Sequence, residues 1–319
     1  MGLLSALFGN KKPDENRNPQ EEQNRKNFDI LKYDGIRARN MGKLPYAIKC
    51  FEEAVALNEE AETLGLLAQA YLQANRTDDA RAALERLAEK DPSDIRTLLS
   101  LASVCYMLED YEGMNEACRK AIAADSANAQ AYFLSARAER GLKNNLNAIV
   151  MLTKAIALNE TFAQAYQLRA EVLWEMRQAR EAMEDIGHIL SASPEDEDAL
   201  LLKGKIEAAL GQTEEALACC DKVMEANPFN EQAYLLKGGM LAGENKLAEA
   251  ETLYTEAIDL MPDKAAFYQE RGRVRLLGGN KEGAADDMKK AIEIAPEKEE
   301  QISGNFSNFG KSGLQTGIY

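Results

Sequence analysis

The sequence predicts an all-α chain, a solenoid of about eight helix–turn–helix units. The stretch from Glu231 to Lys264 contains two amphipathic segments, Gln232 to Gly243 and Leu247 to Leu260, separated by a turn at Asn245. The same pattern recurs every 34 residues and runs through seven units without an insertion or deletion. A fixed period of this size is typical of repeat architectures, in which each unit buries its apolar face only against its neighbours.

The unit boundaries follow from this period. Seven units span 61–94, 95–128, 129–162, 163–196, 197–230, 231–264 and 265–298, and an eighth, 28–60, precedes them and is one residue shorter. Position 8 of the unit is always Gly or Ala, and position 20 is Ala in seven of the eight units. Antiparallel helices approach closely only where their facing side chains are small, so these two columns predict the crossing point of each pair. Larger apolar residues at position 24 fill the space beside it.

Turn and terminator residues agree with the same register. Position 15, where the chain leaves the first helix, holds residues that adopt the left-handed conformation cheaply: Gly42, Asn75, Gly211, Asn245 and Gly279. Prolines close five units at position 32: Pro92, Pro194, Pro228, Pro262 and Pro296. Over residues 28–298 the whole pattern resembles the tetratricopeptide repeat, although position 4 is aromatic in only four units and 28–60 is the weakest match. The resemblance implies a right-handed α-solenoid whose first helices line a concave groove that holds a peptide or a partner protein.

Composition excludes several classes of function. The formal net charge of −15 argues against nucleic acid as a partner, because phosphates would be repelled. No run approaches the ~20 apolar residues that a membrane span requires. The five cysteines lack metal or redox spacing, which favours buried thiols in a reducing compartment such as the cytoplasm. With His188 as the single histidine and no nucleotide, nucleophile or zinc motif, the sequence predicts no enzyme, no cofactor and no metal.

The two ends stand apart from the repeats. Residues 1–27 form a polar arm with a short amphipathic start, and residues 9–27 have linker composition. Two interpretations of residues 1–12 remain open: a frayed terminus, or a hook for a membrane surface or a partner groove. We expect residues 299–319 to form a short cap and a flexible tail, which leaves Ile292 and Ile294 to be covered by that tail or by another molecule. A homo-oligomer is therefore one alternative.

Two charged pairs have a structural rather than a functional pattern. Arg169 and Arg271 occupy position 7 of their units, and Asp185 and Asp287 occupy position 23 of the same units. The shared offset of 16 residues predicts a salt bridge across each helical hairpin. Such a bridge contributes only ~0–1 kcal/mol if it is exposed.

The family resemblance implies that positions 2, 5, 9 and 12 of the first helices line the groove. These positions carry seven bases, Lys32 among them, against four acids. Arg and aromatic side chains are the types that anchor protein interfaces. The candidate groove residues are Arg96, Tyr106, Phe133, Arg137, Arg140, Glu171, Trp174, Lys205 and Arg273.

The centre of the candidate surface lies on units 3 to 5. Arg137 and Arg140 are three residues apart, so they share a helix face and can grip one acidic or phosphorylated group. Glu171 is an alternative partner for Arg137. Tyr106 and Trp174 are either groove aromatics or packing residues displaced by one place, because position 11 of their units holds Cys105 and Leu173.

The sequence thus predicts a non-enzymatic adaptor that binds a peptide or partner protein, and the alternative is a self-assembling scaffold that docks its own termini. It does not predict a receptor for chaperone tails of the carboxylate-clamp type. That subclass requires Lys, Asn and Arg at fixed positions of three successive units, and here Ile36, Leu66 and Ser100 interrupt the set.

Overall fold

A computed structural model describes residues 19–298. Within that range the chain forms sixteen α-helices and one short 3₁₀ helix, with no strand. The helices are α1 Pro19–Asn40, α2 Leu44–Leu57, α3 Ala61–Gln73, α4 Thr77–Lys90, α5 Ile95–Met107, α6 Tyr111–Ala124, α7 Ala129–Gly141, α8 Asn145–Leu158, α9 Ala163–Glu175, α10 Ala179–Ala192, α11 Glu197–Ala209, α12 Thr213–Ala226, α13 Glu231–Gly243, α14 Leu247–Leu260, α15 Ala265–Leu277 and α16 Lys281–Ile294, followed by the 3₁₀ helix Pro296–Lys298. Each predicted unit contributes one consecutive pair of helices.

The chain divides into two compact units, one ending at Glu160 and the other beginning at Thr161. In the first, α1 to α8 pack in chain order, and the first helices α5 and α7 also touch each other. In the second, α9 to α16 pack in the same way, with the first helices α9, α11, α13 and α15 in successive contact.

Close helix crossings explain the column of small residues at position 8. A Cβ on Gly35 would lie 2.6 Å from the Phe51 ring, and one on Gly238 would lie 2.3 Å from Cζ of Tyr254. Phe51 and Tyr254 both stand at position 24 and are completely buried. Glycine is therefore required where position 24 is aromatic, whereas Ala68 suffices opposite the smaller Leu84.

The turn within each hairpin is set by the repeat rather than by the local residue. All eight residues at position 15 have positive φ, including Glu109 at 55°, Lys143 at 64° and Arg177 at 64°, which residue type alone did not predict. In each turn the residue after position 15 donates its backbone N–H to the carbonyl five residues earlier, as Asp110 does to Cys105 at 2.9 Å. This bond belongs to the Schellman closure of a helix, which requires a left-handed residue whatever its side chain.

Side-chain caps begin several helices. Asp94, Asn128, Asp196 and Asn230 occupy position 34, and each accepts a hydrogen bond from a backbone N–H in the first turn of the next first helix. Asp94 and Asp196 thus place negative charge at helix N-termini, where the helix dipole favours it.

The N-terminal boundary requires a correction. The linker predicted for 9–27 is helical from Pro19 onward, so α1 begins nine residues before the first repeat. Proline fits the first helical position, and the ion pair of Glu22 with Lys26 at 2.8 Å supports the turn that follows. The predictions for residues 1–12 and 299–319 lie outside the described residues. No helix in the described range is long and apolar enough to cross a membrane.

Candidate functional site

A stacked arginine joins the first helices of repeats 3 and 4. The guanidinium carbon of Arg137, on α7, lies 3.8 Å from the ring centroid of Tyr106 on α5. It also lies 6.0 Å from the ring centroid of Phe133, one turn earlier on α7. A cation over an aromatic face is attracted by the ring quadrupole, so the two rings fix the position of this cation.

Tyr106 is not a displaced packing residue. Cys105 fills the packing position and is buried, whereas the Tyr106 side chain is 38% exposed. The same arrangement recurs on α9 in the second compact unit, where Leu173 is buried and Trp174 is only half-buried. Both aromatic residues therefore present surface outside the core.

Arg137 differs from the arginines that hold the fold together. No carboxylate of the described part of the chain lies within 4.0 Å of its guanidinium. Stacking covers one face of the guanidinium and leaves its N–H donors at the edge of the plane, where they match a carboxylate or phosphate. Arg137 is thus a positioned cation whose charge no carboxylate within residues 19–298 neutralises by an ion pair.

Two residues that were not among the candidate groove residues support this cluster. Tyr111, the first residue of α6, contacts Tyr106 edge to face with 6.2 Å between ring centroids. Gly141 makes room for it, because a Cβ there would lie 2.4 Å from the Tyr111 ring. Glycine is common at the ends of helices in general, so Gly141 by itself does not indicate an aromatic neighbour.

The other candidate groove residues occupy varied environments. Arg96 is almost fully exposed at the start of α5, 3.8 Å from Asp94, and Arg140 is half-buried near the end of α7. In the second compact unit, Arg273 bonds to Glu270 at 2.8 Å, and Lys205 is half-buried on α11. Glu171 accepts a hydrogen bond from the Gln167 amide at 3.2 Å.

Lys32 does not belong with the groove bases. Its side chain is 9% exposed and bonds to Glu60 at 2.7 Å and also to Glu62. Burial acts to lower the pKa of Lys32, but the hydrogen bonds and charges of the two carboxylates outweigh it and raise that pKa. Lys32 therefore ties α1 to the start of α3 instead of facing a ligand.

The two predicted Arg–Asp pairs form, and both are bidentate. Arg169 donates to Asp185 at 2.8 and 2.6 Å, and Arg271 donates to Asp287 at 3.0 and 2.7 Å. Arg275 adds a third bond to Asp287 at 2.9 Å. The aspartate side chains are only 6% and 4% exposed, so the small contribution expected of an exposed bridge does not apply. The hydrogen bond to Asp185 raises the pKa of Arg169.

The cysteines and the histidine take part in core packing and ring stacking. All five cysteines are buried free thiols, and burial raises the pKa of Cys118 and of Cys220 to about 12. His188 stacks on the Tyr166 ring at 4.1 Å between centroids. Residues 19–298 contain no group of three or more metal-binding side chains.

Comparison with known proteins identifies a family and a fold. One family model of the tetratricopeptide repeat matches residues 40–103 and 173–238, and a second model of this repeat matches 241–299. The crystal structure of a tetratricopeptide repeat protein from Parabacteroides merdae is 18% identical, with a TM-score of 0.62, covering 77% of this chain and 97% of that one. Pseudomonas aeruginosa pilF is 14% identical with a TM-score of 0.51, covering 66% of this chain and 96% of that one.

A third solved structure, YrrB, is described as a TPR protein with an unusual peptide-binding site. It is 25% identical and covers 61% of this chain and all of its own, but its TM-score of 0.44 is too low to carry that site over. No curated protein matches the sequence.

Proposed function

The chain belongs to the tetratricopeptide repeat family, and from that premise we propose that it is a non-enzymatic adaptor that binds an acidic segment of a partner protein. The binding surface that we propose is centred on Arg137, Tyr106 and Phe133. The observation that carries the proposal is the stacked guanidinium of Arg137, which no described carboxylate neutralises.

The chemistry of this cluster defines the ligand. A fixed guanidinium edge favours a carboxylate or phosphate, and the rings of Tyr106 and Phe133 provide apolar surface beside it. The partner segment should therefore carry an acidic residue next to an apolar one. Arg140, one turn after Arg137, supplies a second cation on the same helix.

The test begins with selection of displayed peptides on the immobilised full chain. We expect an acidic residue beside an apolar one to be enriched. A selected peptide, labelled with a fluorophore, is then titrated with the wild-type protein, Arg137→Ala and Arg180→Ala. Arg137→Ala should weaken binding by ~1 kcal/mol or more, as truncation of an interface anchor does. Arg180→Ala is the matched control, because Arg180 is an exposed arginine of the second helix α10, which contributes no candidate groove residue.

Two outcomes contradict the proposal: enrichment of peptides without acidic residues, or equal affinity of Arg137→Ala and Arg180→Ala. Circular dichroism of both variants shows whether the helices are intact. A peptide ending in Glu-Glu-Val-Asp tests the narrower expectation that no carboxylate clamp exists, and micromolar binding that depends on its free C-terminal carboxylate would refute it.

Trp174 on α9 is proposed as a separate contact for a partner. Trp174→Ala should lower the affinity for the partner, while the thermal midpoint of the protein stays within a few degrees of wild type. If the substitution instead destabilises the protein and affinity in the folded fraction is unchanged, Trp174 is a packing residue.

A self-assembling scaffold that docks its own termini is the second candidate. The end of the last repeat favours it. There Met288, Ile292 and Ile294 of α16 are only partly buried, so they leave apolar surface for a docking segment. Deletion of residues 1–12 should leave the thermal midpoint nearly unchanged, and light scattering with and without this segment shows whether it drives association. We also propose a cytoplasmic location, which the five free and buried thiols support.

A further inference from the structure

The second helix of repeat 4 has an unusual outer face. Leu146 is 71% exposed and Val150 is 49% exposed, and Thr153 and Ala157 are exposed on the same side of α8. The spacing of these four residues is 4, 3 and 4, which is the spacing of the seam in a pair of packed helices. The Thr153 hydroxyl donates to the Ile149 carbonyl at 2.8 Å, so its polar group is satisfied within the helix. We call these four residues the α8 seam.

The other repeats provide an internal comparison. At the four corresponding positions, each of the other seven second helices carries at least one charged residue. Repeat 3 has Glu112, Glu116 and Arg119 there, and repeat 8 has Glu282, Asp286, Lys289 and Glu293. A solvated helix face is normally polar, so the apolar α8 seam departs from the pattern of its own chain.

Charge indicates which partner fits the seam. The chain carries a net charge of −15, so two copies repel each other wherever carboxylates face carboxylates. α8 contains no acidic residue, and its single charge, Lys154, lies 5.6 Å from the Tyr132 ring of α7. On α6, the second helix of the preceding repeat, Glu116 is paired with Arg119 at 2.7 Å and Lys120 at 3.7 Å. Two copies can therefore approach through α8 with little repulsion.

The seam is also complementary to itself. In an antiparallel pair of α8 helices, one register places Leu146 opposite Ala157 of the second copy. The same register places Val150 opposite Thr153 of the second copy, so each larger side chain meets a smaller one at all four contacts. A surface that matches itself about a two-fold axis is what an isologous dimer requires. We propose that two copies of this chain associate through antiparallel α8 helices in this register. The proposal is independent of peptide binding at Arg137.

Sedimentation and light scattering of the full chain, from low micromolar to hundreds of micromolar, test the proposal. The mass of the wild-type protein should rise with concentration from 35.2 kDa toward twice that value. In repeat 3 the positions of Leu146 and Val150 hold Glu112 and Glu116. The variant Leu146→Glu/Val150→Glu copies these glutamates into repeat 4, and it should fold because both positions are exposed to solvent. Its dissociation constant should rise about tenfold or more, because glutamates would enter the dimer contact.

The matched control is Leu210→Glu/Leu277→Glu, which adds the same charge at leucines that are 58% and 45% exposed in the second compact unit. It should associate like wild type. A wild-type protein that stays monomeric throughout, or equal association of both double variants, overturns the proposal.

Cysteine cross-linking tests the register. Val150→Cys mixed with Thr153→Cys should give a cross-linked dimer of the two variants, whereas each variant alone should not. A single variant that links to itself would overturn the antiparallel register. The native cysteines are all buried, so they do not compete.

Discussion

Replacing Gly238 with alanine tests the packing argument most directly. The new Cβ would lie 2.3 Å from Cζ and 2.5 Å from Oη of Tyr254, whereas nonbonded carbon atoms normally stay about 3.5–4.0 Å apart. The ring must therefore move by more than ~1 Å, and Tyr254 is completely buried. Overpacking of this kind costs about 1–3 kcal/mol. The better helix propensity of alanine returns about 0.5–1 kcal/mol, so we expect a net loss of between roughly 0 and 2.5 kcal/mol.

The neighbouring glycine is the control. Gly239 lies on the same helix, and a Cβ there would meet nothing within 4 Å. Gly239→Ala should therefore stabilise the protein by about 0.5–1 kcal/mol through helix propensity alone. Both free energies of unfolding are measured in urea by far-ultraviolet circular dichroism.

A compensating substitution completes the test. The variant Gly238→Ala/Tyr254→Leu copies the Ala68 and Leu84 combination of repeat 2. Tyr254→Leu alone leaves a void beside the glycine, so the double variant should be more stable than either single one, with an interaction energy of about 1–3 kcal/mol. If Gly238→Ala is as stable as Gly239→Ala, or the two substitutions are simply additive, the crossing does not require a small residue and the reasoning fails.

Three further predictions follow from the structure. Glu109→Gly should raise the free energy of unfolding by about 1 kcal/mol, because glycine adopts the positive φ of this turn without the strain of a side chain, and urea unfolding measures it. Asp287→Leu should lower that free energy by about 3–5 kcal/mol, since two arginines would lose a buried partner, and hydrogen exchange should locate the loss in α15 and α16. The hydrogen bond from Lys32 lowers the pKa of Glu60 below its usual 4.5, so its stabilising effect is full above that value and is lost as pH falls through the lowered pKa. Thermal midpoints between neutral and acid pH should therefore fall less for Lys32→Met than for wild type, and equal slopes would contradict the assignment.

The repeat, its period and the face on which most positions lie could be predicted from the residues alone. One period fixes the register, and the register fixes which residues meet within a hairpin. Arg169 and Asp185 could therefore be paired from their 16-residue offset, and the turn at Asn245 from its residue type. The positive φ of Lys143 follows from the same register, although its residue type gives no hint.

Where several partners are within reach of a side chain, the contact that it makes depends on how the helices pack. Lys237, the equivalent of Arg169, crosses to Asp221 of the preceding repeat, because position 23 of its own hairpin is an apolar leucine. Lys32 turns into the junction with the next repeat instead of lining a groove. Arg137 stacks on Tyr106 of a neighbouring helix, where the choice depends on distance and burial rather than on spacing in the chain. A repeat pattern specifies where the backbone of a long charged residue lies. The rotamer of its side chain depends on the residues of two neighbouring repeats, and the period of the sequence does not contain that information.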